Sequence, residues 1–337
     1  MTSPETRTVY IGTLDGDGLV VATEEGGALT VTGALPEVRE PSALAFSADR
    51  STLYAVSELP DGVVTAVDIS DPQRPAVLTA QPSGGAGPTH LDVFGHHLVT
   101  AHYSDGVVAS HPIDADGSLG PLGAALLLEV PGSGAAPHAH QVVPDPTGRW
   151  LLAVALGLDA VFVLGFDRAT GALAEHSRMD LPAGTGPRHL VFHPDGTRVF
   201  VLGELTPTVT AADWEPVAGT LTRGGSVTVT GPGAPDPTYP AEITASGDGR
   251  FLYVSTRGED AVGVLRIGPG APQLVQTSPA GGAWPRHCAL GPGGTWLYVA
   301  NQRPGSVTWL PRDPATGRLG PVAGEVTVRG ACWVAFA

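Results

Sequence analysis

Residues 187–205 read PRHLVFHPDGTRVFVLGEL, and residues 285–303 repeat the pattern as PRHCALGPGGTWLYVANQR. In each copy a proline precedes an apolar run, a turn rich in Gly, Pro or Asp follows, and a second apolar run ends on polar residues. Short apolar runs between turn residues are typical of β-strands in a hairpin. The two stretches therefore predict a recurring hairpin, and Pro-Arg-His marks where two copies of it begin.

The hairpin pattern occurs six times, at intervals of about 45 to 53 residues, which is the spacing of β-propeller blades. Each hairpin is followed by a third strand-like run, such as GVVTAVDI, and by a fourth, less regular one. The other four copies begin at Pro41, Pro88, Pro137 and Pro240.

Apolar runs at both ends of the chain supply the parts of a seventh unit. GACWVAFA (330–337) matches a first strand, and TVYIGTLDGDGLVVATE (8–24) matches a second and a third. Joining the two ends in one sheet closes the ring and removes its exposed edges. The sequence thus predicts an all-β, seven-bladed propeller, with residues 1–337 as one domain and the terminal blade closed by N- and C-terminal strands.

Composition excludes several kinds of partner. The chain has a formal net charge of −15 and contains no lysine, so it would repel a phosphate backbone, and we expect no nucleic-acid partner. No apolar run is long enough to span a bilayer and the N-terminus does not read as a signal peptide. Cys288 and Cys332 form no recognisable motif. We therefore expect a cytoplasmic protein without a membrane partner, either a monomer or a weak homo-oligomer.

Polar residues at the strand ends differ from unit to unit, whereas the prolines and turn glycines recur. Strand ends and loops of a propeller gather around its central channel, so variable polar residues there predict a binding site. We interpret His189 and His287, which follow Arg in both copies of Pro-Arg-His, mainly as packing residues. The second strands end at Glu58, Tyr103, Glu204, Arg257 and Gln302, and the first strands begin with His90, His138, His140, Arg188, Glu242 and Arg286.

With these segments in place, nearly the whole chain resembles the lactonase family of seven-bladed propellers, which includes bacterial 6-phosphogluconolactonases and fungal carboxy-cis,cis-muconate cyclases. The resemblance is carried by PHAHQVVPDPTGRWLLAVALGLD, GTGPRHLVFHPDGTRVFVLGEL, AEITASGDGRFLYVSTRGED and WPRHCALGPGGTWLYVANQ. It implies that His140, Arg188, Glu204 and Arg257 are the catalytic residues. The remaining polar strand-end residues, Glu58, His90, Tyr103, His138, Glu242, Arg286 and Gln302, are then candidates for substrate binding.

The chain departs from the family pattern at three positions. Ala155 stands where the family usually has an acid, and His102 and Thr256 stand where it often has Asn. These differences bear on the exact substrate more than on the fold.

The leading functional hypothesis is a lactonase that needs neither metal nor cofactor and hydrolyses a sugar-derived lactone, most plausibly 6-phosphogluconolactone. His140 or Glu204 would act as general base, while Arg188 and Arg257 would bind the substrate anion and polarise the carbonyl group. A bound Ca²⁺ is disfavoured because these arginines would repel it. The alternatives are a lactone-forming cyclase or isomerase of the muconate type, and a non-catalytic propeller that binds a small molecule or a protein.

Overall fold

The computed structural model describes residues 6–337, which form seven four-stranded antiparallel sheets arranged as the blades of a propeller. One blade combines β1 (Arg7–Thr13), β2 (Leu19–Glu25) and β3 (Ala28–Leu35) with the last strand, β28 (Ala331–Phe336). The next three are β4 (Pro41–Phe46), β5 (Thr52–Ser57), β6 (Val63–Asp68), β7 (Ala76–Pro82); β8 (Pro88–Phe94), β9 (His97–His102), β10 (Val107–Pro112), β11 (Ala124–Leu127); and β12 (Ala139–Pro144), β13 (Leu151–Ala155), β14 (Ala160–Phe166), β15 (Leu173–Asp180).

The last three blades follow the same order along the chain. They are β16 (Pro187–Phe192), β17 (Arg198–Gly203), β18 (Thr208–Glu215), β19 (Thr220–Thr228); β20 (Tyr239–Ala245), β21 (Phe251–Arg257), β22 (Ala261–Arg266), β23 (Gln273–Pro279); and β24 (Ala283–Leu290), β25 (Trp296–Arg303), β26 (Ser306–Pro311), β27 (Gly324–Thr327). A 3₁₀ turn at Leu156–Leu158 follows β13. No helix in the described part of the chain is long and apolar enough to cross a membrane.

The burial of the strands follows their position in the blade. The second strand, such as β5, is buried along its whole length, whereas the fourth, such as β7, is mostly exposed. Strands buried on both faces read as continuous apolar runs, which is why the second strands stand out in the sequence. Facing sheets bury large side chains between them, including Phe162 and Phe200, and each such side chain contributes about 1.5–3 kcal/mol.

The terminal blade is closed as the sequence predicts. Strand β28 lies innermost and pairs with β1 in antiparallel register, with Val9 opposite Phe336 and Thr13 opposite Ala331. The first and last strands thus share backbone hydrogen bonds, and β1 is paired on both sides, by β28 and by β2.

A β-bulge recurs near the start of the innermost strand of every blade. In β16, Pro187 pairs with Gly203 and His189 pairs with Leu202, so Arg188 is the extra residue on its strand. A bulge re-aims side chains, so two successive residues can face the same side of the sheet. The same irregularity falls in β4, β8, β12, β20, β24 and β28.

Candidate active site

The bulges line the axial channel with two rings of side chains. We call the bulged residues the upper ring, since they lie nearer the mouth where the innermost strands begin, and the residues that follow them the lower ring. The upper ring consists of Ser42, Thr89, His140, Arg188, Ala241, Arg286 and Cys332, and the lower ring of Ala43, His90, Gln141, His189, Glu242, His287 and Trp333.

One carboxylate at the mouth is held between two arginines. Glu204, directly after β17, has Oε1 at 2.9 Å from Nη2 of Arg257 and Oε2 at 3.1 Å from Nε of Arg188. The Arg188 Nε–H does not point at a hydrogen-bond acceptor, so this second contact is mainly electrostatic. Both guanidinium side chains are almost fully buried, whereas Glu204 retains 18% exposure. The accessible member of the trio is therefore the carboxylate.

Backbone carbonyl groups fix the two guanidinium groups from behind. Arg188 donates from Nη1 to the carbonyl oxygen of Ala241 in the next blade. Arg257 donates from Nε to the carbonyl oxygen of Tyr239 at 3.1 Å and from Nη2 to that of Pro240 at 3.3 Å. Because these acceptors belong to the strand β20, they hold both guanidinium groups in place independently of Glu204.

A third arginine makes the mouth electropositive. Arg286 donates from Nη2 to Oε2 of Glu58 at 2.9 Å. Burial and, after it, the nearby charges of Arg257 and Arg286 together lower the pKa of Arg188 to about 9. Three guanidinium groups thus face two carboxylates, and the remaining positive charge favours an anionic ligand.

His140 lies in the upper ring as a neutral imidazole. Its ring centre is 5.1 Å from that of His189 and 5.8 Å from that of Tyr103. Burial holds the pKa of His140 well below 6.5, and the positive charge of Arg188 lowers it further. Its Nδ1 is buried and has no hydrogen-bond partner among residues 6–337.

The lower ring contains a carboxylate between two histidines. Glu242 accepts from Nδ1 of His189 at 3.1 Å and from the amide of Ile243 at 2.8 Å, and its Oε2 lies 3.5 Å from Nε2 of His287. The amide of Val334 donates to Nδ1 of His287, which places that ring's proton on Nε2, facing Glu242. Burial raises the pKa of Glu242. These contacts join four blades beneath the mouth.

A separate cavity of about 1010 Å³ opens below the lower ring. His90, Glu242, His287 and Trp333 contribute to its lining, together with Asp92 from β8. Burial raises the pKa of the Asp92 carboxyl to about 7. The lower ring therefore lies between this cavity and the arginine-rich mouth.

The structure brings most of the sequence-predicted residues to the mouth. Glu204 pairs there with Arg188 and Arg257, and Glu58 pairs with Arg286. Tyr103 meets His140 edge-on and stacks on His138 with ring centres 4.4 Å apart. Gln302 follows Asn301, which pairs with Pro285 at the start of β24, so it lies at the same end. His90 and Glu242 instead belong to the lower ring and line the cavity below.

Two features of the site differ from the sequence interpretation. His138 was aligned with Arg188, but β12 begins at Ala139, and it is His140 that occupies the bulge equivalent to Arg188. His189 and His287, interpreted mainly as packing residues, form the polar contacts to Glu242. In the sequence, the identical Pro-Arg-His context of His189 and His287 was the feature that could have indicated their shared contact with Glu242. No group of three or more His, Cys, Asp or Glu suited to a metal ion occurs among residues 6–337.

Fold and site together define a seven-bladed propeller with an arginine-lined axial site for an anionic small molecule. Residues 8–336 match the family model "Lactonase, 7-bladed beta-propeller". The chain belongs to this family, and the prediction of a lactonase is confirmed at that level.

Named relatives cover almost the whole chain. The 6-phosphogluconolactonase of Bacillus subtilis (strain 168) is 28% identical over 317 residues, which is 90% of this chain and 89% of that protein. The periplasmic gluconolactonase PpgL of Pseudomonas aeruginosa superposes with a TM-score of 0.91 at 28% identity, covering 98% of this chain and 99% of that one. A putative 6-phosphogluconolactonase of Bacteroides fragilis also has a TM-score of 0.91, with 27% identity and coverage of 100% and 99%.

Proposed function

We propose that this protein hydrolyses 6-phosphogluconolactone to 6-phosphogluconate. The observation that carries the proposal is the carboxylate of Glu204 held between Arg188 and Arg257 at an accessible mouth. Relatives named 6-phosphogluconolactonase support the choice of substrate. Hydrolysis of a lactone needs a base for water and a positive environment for the oxyanion, and this trio supplies both.

In the proposed mechanism, negative charge moves from Glu204 to the substrate and back. Glu204 takes a proton from water as the water oxygen bonds to the carbonyl carbon, and the carbonyl oxygen becomes an oxyanion. Arg188 and Arg257 thus exchange one anionic partner for another and keep their counter-charge throughout. When the ring C–O bond breaks, protonated Glu204 gives its proton to the leaving oxygen, which releases the hydroxy acid.

Glu204 suits the role of general base better than His140. His140 is buried beside Arg188, and its pKa lies well below 6.5, so protonating it would add a further cation to an arginine cluster. The imidazole is neutral and its Nδ1 is buried, so His140 lines the channel wall beside Arg188 while Glu204 takes the proton.

The lower ring positions Arg188 from beneath. Glu242 holds the Nδ1 proton of His189, so Nε2 of His189 is left as an acceptor, and Nη1 of Arg188 lies 3.5 Å from it. A carboxylate–imidazole–guanidinium chain thus runs from the lower ring to the mouth. In this proposal Glu242 and His189 do not touch the reacting atoms but set the orientation of the arginine that does.

The test is a comparison of three substrates: 6-phosphogluconolactone, unphosphorylated gluconolactone and carboxymuconate. We expect the protein to accelerate hydrolysis of the first well above its spontaneous rate, measured by proton release in weakly buffered solution. Cyclisation of carboxymuconate without lactone hydrolysis would support the alternative reaction, and turnover of none of the three would contradict both. We propose that no metal is required, so activity should survive excess chelator.

A cytoplasmic location, and a state that is either monomeric or a weak homo-oligomer, are further parts of the proposal. Cys288 and Cys332 are both free and buried, as is usual for proteins of reducing compartments. Cell fractionation tests the location, and light scattering tests the oligomeric state. The relative from P. aeruginosa is named a periplasmic gluconolactonase. Recovery of this protein in the periplasm would contradict the proposed cytoplasmic location.

A further inference from the structure

The residue two positions before the bulged residue of the innermost strand adopts a left-handed backbone in six blades. Glycine occupies this position in three of them, as its lack of a Cβ allows. The other three blades place a large side chain there, at positive φ and at the mouth of the channel. The six residues are Gly87, Gly186 and Gly330, and Glu40 (φ 44°), His138 (φ 51°) and Trp284 (φ 60°).

Trp284 is the most unusual of these residues. A bulky aromatic residue at positive φ is a steric outlier, and such strain persists where the surrounding structure or the function requires it. Its amide donates to Oδ1 of Asp260 at 2.8 Å, which fixes the backbone in this conformation. Because glycine serves the same position in sister blades, the backbone alone does not explain a tryptophan.

The indole of Trp284 lies between two arginines. The guanidinium carbon of Arg303 is 4.1 Å from the ring centre, and that of Arg257 is 5.6 Å away. Arg303 is exposed at the end of β25, and no carboxylate lies within 4 Å of it in the described part of the chain. Burial lowers the pKa of Arg257, the charge of Glu204 raises it, and the charges of Arg286 and Arg303 lower it.

Two like charges beside one aromatic ring favour an anion between or above them. Arg257 and Arg286 already contact Glu204 and Glu58, so Arg303 is left to meet an incoming charged group. The guanidinium carbon of Arg303 lies over the indole and no carboxylate contacts it in the described part of the chain, so its N–H groups are left to bind a phosphate through paired hydrogen bonds.

We propose that Trp284 and Arg303 form a subsite at the mouth that binds the terminal phosphate of a phosphorylated sugar lactone. This inference rests on the proposed function and adds the residues that select the phosphorylated substrate. Arg303 meets the phosphate, and Trp284 holds Arg303 in place. The lactone carbonyl then lies deeper, at Arg188 and Glu204.

The variants Trp284→Gly and Arg303→Gln test the subsite. Each should raise KM for 6-phosphogluconolactone about tenfold and leave kcat and the turnover of unphosphorylated gluconolactone within about twofold. Trp284→Gly should not lower the melting temperature, because glycine relieves the strain at positive φ. Glu40→Gly is the matched control: it makes the same backbone change on another blade and should leave KM for the phosphorylated lactone unchanged or lower.

Binding of the two product acids separates this inference from the proposed function. By calorimetry, the wild-type protein should bind 6-phosphogluconate at least about tenfold more tightly than gluconate, and Arg303→Gln should abolish the difference. The inference is overturned if the wild type binds both acids equally or if Arg303→Gln retains the preference. If the wild-type protein prefers 6-phosphogluconate to gluconate but does not hydrolyse 6-phosphogluconolactone, the proposed function is overturned and the subsite is retained. Arg303 is exposed, so its replacement keeps the test valid should Trp284→Gly fail to fold.

Discussion

Replacing Glu204 by glutamine should separate catalysis from the stability of the mouth. The substitution keeps the shape of the side chain but removes the countercharge of two buried arginines, at 2.9 and 3.1 Å. Removing one partner of a fully buried pair costs about 3–5 kcal/mol, and since Glu204 is partly exposed, we expect a loss of about 2–3 kcal/mol. A folded domain with about 5–15 kcal/mol of stability tolerates this loss, so the variant can be assayed.

The activity of Glu204→Gln should fall much further than its stability. Loss of a general base lowers kcat by about 10²- to 10⁴-fold. Glu58→Gln is the matched control, since Glu58 forms a similar 2.9 Å ion pair with Arg286 without being the proposed base. We expect kcat to change less than about tenfold in the control, measured by proton release at 25 °C with unfolding followed in urea. Equal losses of kcat in the two variants would refute the assignment of Glu204 as base.

Three further predictions follow from the lower ring and the terminal blade. Glu242→Gln should lower kcat about three- to tenfold in a folded protein, because an amide holds His189 less firmly than a carboxylate; an unchanged kcat would refute the positioning chain. Burial lowers the pKa of His287 to about 4 and that of His90 to about 3, so the unfolded chain takes up protons first as pH falls below 6.5. Each ring should therefore contribute a loss of stability in urea of about 1.4 kcal/mol per pH unit between pH 6.5 and about 4, which protonation of Asp92 partly offsets because its pKa is raised to about 7, and proton NMR titration of either ring near 6.5 would contradict this. A chain ending at Gly330 lacks β28 and should lose cooperative thermal unfolding, whereas a retained sharp transition would show that closure is dispensable.

The fold was predictable because each blade repeats the same signals. The proline before the first strand, the turn glycines and the buried second strand depend on backbone geometry that every blade shares. The split blade was equally visible, since GACWVAFA has no other strand to pair with than the N-terminal run. For the same reason, the equivalence of Glu58, Glu204 and Arg257 at the ends of second strands agrees with the observed register.

The internal arrangement of the site was less predictable because it depends on contacts between blades. Repeat alignment shows which positions are equivalent, but not that Glu242 reaches back to His189 or that Arg188 reaches Ala241. Taking Pro137 as the equivalent of Pro187 also shifted His138 and His140 by two residues. The β-bulge that identifies His140, rather than His138, as the equivalent of Arg188 has no sequence signature, because the bulged residue is chemically different in almost every blade.

The lack of a signature is itself informative about how the propeller carries its site. The bulge is maintained by strand register, and the left-handed residue before it by an amide hydrogen bond to a loop aspartate, Asp260 for Trp284 and Asp159 for Gly186, so neither depends on the side chain at its own position. Side chains at both positions can therefore change without altering the frame, which is why Thr89 and Arg188 occupy equivalent bulges. The stability of the fold then depends on a bulged residue only where its side chain contacts a neighbouring blade. Arg188, tied to Glu204 and Ala241, is a site at which catalysis and stability have become linked.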